Sequence, residues 1–241
     1  MNIERLKEIE AHKLYSGAGK GIDHACVMQM VSYLAGEEWT DSPKCACPVL
    51  TQYAIYLNDK FNDEHRQRLK EFIPVLVGSR MNDTTQIARK RMIMWRYVTA
   101  IYPLLLDLWK LPDLANQLRA CPNSIEGMEK AKGIISTNKS KIYKHANANA
   151  NAYAYADAFA FADAFANADA YADAFAYADA FADAFAFADA FAYADAYAYA
   201  LREKIVDSAI ETLRLSIAIR IEESPASDTN AQQEAASEDE K

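Results

Sequence analysis

Apolar positions recur at helical spacing through the first 121 residues, and turn residues cut them into short segments. Val27, Met30, Val31 and Leu34 fall at i, i+3, i+4 and i+7, one face of a helix. Asp23 is placed to cap that helix, which runs through Ala25 and Cys26 to Ala35 and is stopped by Gly36. Pro48 suits the first turn of a second helix reaching Asn58. Asp63 opens a third, with Leu69, Phe72 and Ile73 on one side and Pro74 disturbing it before Gly78. The longest periodic stretch starts near Asp83 and passes Arg89, Trp95, Tyr102 and Trp109, and Pro103 should kink or split it. A short helix over residues 113–119 follows Pro112. No succession of β-branched runs joined by hairpin turns occurs. The pattern predicts a mainly α fold with an N-terminal helical domain over residues 1–121.

Residues 122–145 read as a polar, Lys-rich connector, and then the period changes. From Ala146 to Ala200 every even position is alanine, and the 27 odd positions between hold 8 Asp, 8 Phe, 7 Tyr and 4 Asn. Strict alternation is the strand period, which puts every alanine on one face, as in silk-like strands or a β-solenoid. Phe161 to Ala190 also forms three ten-residue blocks that fit a repeating coil. Against this, alanine is the best helix former and no Gly or Pro interrupts the tract. A long helix is preferred for this Ala-X repeat, with the β forms as the alternative. Beyond it, Leu201, Ile205, Ala209, Leu213 and Ile217 form one stripe at i+4 spacing, widened by Val206 and Ile210. Residues 201–221 are therefore expected to be an amphipathic helix packing on the N-terminal domain. Residues 222–241 carry seven acids and one Lys with almost nothing to bury, the composition of a disordered acidic tail.

Charge follows the same division. The formal net charge of −8 hides −8 in the repeat and −6 in the tail, so the rest of the chain is +6. No run of 18 apolar residues exists and the first residues are too charged for a signal peptide, which argues against a membrane span and against secretion. Four cysteines in 241 residues do not make a disulfide scaffold and read as reduced thiols of a cytoplasmic protein.

Candidate chemistry is concentrated before residue 50. His24-x-Cys26 and Cys45-x-Cys47 supply four soft ligands, the number a tetrahedral Zn²⁺ takes, although structural zinc sites use wider spacing. The competing reading makes these cysteines small buried hydrophobes and turn residues. Cys47, just before Pro48 and its helix, is the one thiol placed for activation by a helix N-terminus. Gly17-Ala-Gly-Lys-Gly21 lacks the spacing of a phosphate loop and reads as a flexible turn, and Trp39 as a core or edge anchor. Arg89, Lys90, Arg91 and Arg96 beside Trp95 form a basic helical face, more in keeping with a solvated surface than with nucleic-acid binding. His12, His65 and His145 have no partner pattern and read as surface residues. Asp residues scattered among the aromatic residues of the repeat lack the clustered oxygens a Ca²⁺ site needs.

Several blocks carry a resemblance: His24 to Met28, Val31 to Glu37, Trp39 to Pro43, Cys45 to Val49 and Val75 to Gly78. Together they resemble a family of uncharacterised bacterial and phage proteins. The resemblance implies an organisation, in which such a block precedes an Ala-rich tandem repeat and a final amphipathic helix, and it implies no activity. In that family the repeats mix Ala with Trp and Arg, whereas here Phe, Tyr and Asp alternate with it. The sequence thus predicts a non-enzymatic structural or interaction protein whose repeat is a spacer or a self-association element. Its alternative is a zinc or thiol protein built on His24, Cys26, Cys45 and Cys47.

Overall fold

The computed structural model describes residues 2–149 and 196–221, and every regular element among them is helical. Most of the repeat and the acidic tail lie outside the described residues, and the expectations for their conformation lie there with them. The elements are α1 (Ile3–Ala11), α2 (Val27–Ala35), α3 (Pro48–Lys60), α4 (Asp63–Gln67), α5 (Ile73–Leu76), α6 (Asp83–Arg96), α7 (Tyr102–Leu108), α8 (Pro112–Arg119), α9 (Ile125–Asn149) and α10 (Ala196–Ala218).

Local chemistry sets where these helices start. Asn62 and Asn82 cap α4 and α6, their side chains accepting from the backbone N–H of His65 at 2.8 Å and Thr85 at 2.9 Å. Asp63 and Asp83 then sit one residue inside, where a negative charge complements the helix dipole. Asp23 does not cap α2. It belongs to a single 3₁₀ turn, Ile22–His24, and Cys26 is the N-cap, sharing a reciprocal capping box with Gln29. Gly36 ends α2 in the left-handed region at φ 77°, as its position in the pattern predicts.

The prolines act where the pattern places them. Pro74 lies in the first turn of α5, and the chain before it tightens into a 3₁₀ segment, Arg68–Phe72. Pro103 has no N–H to give Thr99. The helix widens into one π turn over Tyr97–Ile101, in which the Tyr102 N–H reaches the Tyr97 carbonyl, and α7 begins there.

The core is continuous. α2 is its most enclosed element: Val27, Met28, Met30 and Val31 have no exposure, so α2 is buried well beyond a single stripe. α10 packs on α6, α3 and the π turn. Its Leu201, Ile205, Val206, Ile210, Leu213 and Ile217 are buried. Six such side chains contribute on the order of 10 kcal/mol before ordering entropy is subtracted. The stretch read as a polar connector is helical in α9, where Met128, Ala131, Ile135 and Ile142 recur on one face and are buried. Both helices that flank the repeat therefore belong to one hydrophobic body. No helix among the described residues is long and apolar enough to cross a membrane.

Candidate functional site

The residues picked out as ligands do four separate structural jobs. His24 is exposed, and its ring lies 4.9 Å from that of Tyr15. Cys26 is buried at the start of α2, with its N–H donating to Gln29 Oε1 at 3.1 Å. Cys45 is half-buried in the turn before α3, where its N–H donates to Glu37 Oε1 at 2.8 Å and its carbonyl accepts from the Arg80 N–H at 3.0 Å. Cys47 has no exposure and caps α3, its N–H donating to Ser79 Oγ at 3.0 Å. The structure does not bring these four into one ligand set: among the described residues no three His, Cys, Asp or Glu side chains are grouped to hold a metal ion. All four cysteines are free thiols, and burial pushes Cys26, Cys45 and Cys121 above the ordinary thiol range, the opposite of activation.

The glycine loop before them is pinned, not loose. Gly19 donates to Gln29 Oε1 at 2.9 Å, and its carbonyl accepts from Gln29 Nε2 at 2.7 Å and from Trp39 Nε1 at 2.9 Å. A Cβ at Gly19 would lie 1.7 Å from the His24 carbonyl oxygen, so only glycine fits. Trp39 is thus the edge anchor its sequence context suggests. Glu37 closes the next turn by accepting from the N–H of both Lys44, at 2.6 Å, and Cys45. Partial burial pulls its carboxyl upward, but hydrogen bonds from the Lys44 N–H, the Cys45 thiol and the Cys45 N–H, with the Lys44 charge, together outweigh that and hold it below the usual carboxylate range.

The basic face of α6 is not uniformly solvated. Arg89 has no exposure: Nη1 donates to the Ser79 carbonyl at 2.6 Å and Nε to the Ile219 carbonyl at 3.2 Å. Thr85, one turn earlier, exchanges hydrogen bonds with the backbone of Ile221, and Asn82 Nδ2 donates to the same carbonyl at 2.9 Å. Asn82, Thr85 and Arg89 together hold the backbone of Ile219 and Ile221, the residues that follow α10. Arg96 reaches Ser208 Oγ on α10 at 3.3 Å. His65 is also inside the fold, 2.7 Å from Glu203 Oε1 of α10, and His145 Nδ1 lies 3.0 Å from the Trp109 carbonyl. Nothing in the sequence pattern marks these contacts, because their partners lie more than a hundred residues away or on a backbone atom.

Lys90 and Arg91 face elsewhere. With Val49 at the start of α3, Met94 and Ile87 on α6, and Ile125 and Met128 at the start of α9, they line a mostly apolar cleft of about 200 Å³. Ile87 and Ile125 are 54% and 55% exposed, among the most exposed large hydrophobic residues described. Arg91 Nε is buried there without a hydrogen-bond partner among the described residues. Sequence reasoning missed this cleft, since its walls come from three helices and α9 read as a connector. No protein-family model, curated protein or solved structure matches the chain.

Proposed function

We propose that the chain is a non-catalytic structural or interaction protein: a closed helical body that displays the Ala-X repeat as a spacer or a self-association element. The observation that supports this is the placement of the repeat's two flanks. α9 and α10 are both packed into the body, with Ile142 buried shortly before the repeat and Leu201 buried directly after it. The body therefore closes on itself and presents the repeat as an insertion. A thiol or zinc role for His24, Cys26, Cys45 and Cys47 has less in its favour, because burial raises the Cys26 and Cys45 thiols and the cysteines serve as caps and turn residues.

Sedimentation of the full chain, beside a variant in which residues 150–195 are replaced by a short Gly/Ser linker, tests the reading. Association is expected in the full chain and not in the variant. A full chain that stays monomeric reduces the repeat to a spacer, and a variant that assembles equally well without the repeat contradicts the proposal. Stoichiometric zinc in the purified protein, lost in Cys45→Ser, would replace it with the metal reading.

A further inference from the structure

The cleft lies at one end of the body, and the described helical flanks of the repeat lead away from it. Ile125 and Met128, which line the cleft, begin α9, and the repeat leaves from the other end of that helix. α10 starts in the repeat and ends at Ala218, and Ile219 and Ile221 just beyond it are bound to Arg89 and Thr85, beside the cleft residues Ile87 and Lys90. Each helix carries its end of the repeat about 30 Å from the cleft at 1.5 Å per residue.

Their chemistries match. Every one of the 8 Asp residues in the repeat is followed by Ala and then Phe or Tyr, from Asp157-Ala-Phe159 to Asp195-Ala-Tyr197. The cleft offers an apolar wall with two methionines, Met94 and Met128, whose sulfur atoms suit aromatic rings, and two cations, Lys90 and Arg91, at its side. Its volume of about 200 Å³ falls below the roughly 300–1,000 Å³ of small-molecule sites and suits a single ring. The repeat carries −8 with no cation. The acidic tail begins nearer, after Ile221, but has no aromatic residue to fill the apolar wall.

From this geometry we infer that the cleft receives an Asp-Ala-Phe or Asp-Ala-Tyr unit from the repeat of a second copy, the ring entering the cleft and the carboxylate meeting Lys90 and Arg91. This rests on the self-association form of the function proposed above. The contact is heterologous: the repeat of each chain supplies the unit and the body of the next supplies the cleft, so assembly grows head to tail. The 8 units per repeat raise the effective concentration at each cleft.

Light scattering and sedimentation velocity on the full chain test it. Ile87→Glu, and separately Lys90→Glu with Arg91→Glu, should each weaken association at least tenfold, about 1.4 kcal/mol, with unchanged thermal melts. A full-length variant with every repeat Asp changed to Lys should also fail to assemble alone. Mixed with Ile87→Glu, whose repeat is intact, it should form a mixed complex in which one Ile87→Glu repeat holds one or more copies of the Lys variant and which grows no further. If both cleft variants assemble like the parent, repeat–repeat contacts drive association: the cleft inference falls while the self-association reading stands. A parent chain monomeric at every concentration overturns both. If truncation after Ile221 tightens association tenfold or more, the tail is the cleft's occupant and the inference is overturned.

Discussion

At the scale of single residues, the chain's polar atoms matter most where they are buried. Arg89 is held by two backbone carbonyls and faces the sulfur of Met81 at 3.9 Å, so it ties the Ser79 loop to the end of α10. Arg89→Ala orphans those carbonyls and leaves a hole, and should cost about 3 kcal/mol or more in denaturant unfolding. Arg91→Ala, two residues on, removes a side chain whose Nε has no hydrogen-bond partner among the described residues, and should cost under about 0.5 kcal/mol. Equal effects from the two would mean that Arg89 is not the link described. Glu37 gives a pH signature. Its folded carboxyl titrates below its unfolded value, so the stability it contributes is present above the ordinary carboxylate range and is lost as pH falls through the folded value. The stability difference between the parent and Glu37→Gln should therefore be largest near neutrality and vanish under strong acid. A difference that grows on acidification contradicts the assignment. Neither residue's role was legible in the sequence: an arginine in a basic run looks like any solvated cation, and a carboxylate's backbone partners depend on how a loop closes.

At the scale of elements, helix periodicity and breakers were legible and long-range satisfaction was not. Gly36, Pro48, Pro74, Pro103 and Pro112 mark ends or breaks that the backbone obeys, because each acts through its own φ or its missing N–H. The caps at Asn62 and Asn82 fall one residue before the Asp that the pattern suggested, since either side chain can cap and only the backbone geometry decides. α9 was the larger miss. Its lysines dominate the composition, while its buried face is carried by widely spaced small or apolar positions such as Met128, Ala131, Ile135 and Ile142. α10 is the element on which the body closes. Tyr53 donates to the Ala209 carbonyl at 3.1 Å in full burial, and Arg68 pairs with Asp207 at 2.8 Å on the surface. The surface pair contributes little by itself. Leu213 has no exposure, and Leu213→Ala should lose about 2–5 kcal/mol, measured by urea unfolding. A loss no greater than that of an exposed alanine substitution would mean that α10 is not part of the core.

At the scale of the whole molecule, the chain is a helical body interrupted by an alternating tract whose flanks are both structural. Loop-closure entropy explains why such an insertion is tolerated: each doubling of loop length costs only about 0.6 kcal/mol. Growth or contraction of the repeat therefore leaves the body almost untouched while changing how many Asp-Ala-aromatic units it displays. The measurement that bears most directly on this account is urea unfolding of the chain with residues 150–195 replaced by a short flexible linker, followed by circular dichroism. The account predicts one cooperative transition, helical content retained in the body, and stability equal to the parent's or about 1 kcal/mol higher from the shorter closure. A chain that cannot fold without its repeat would contradict it.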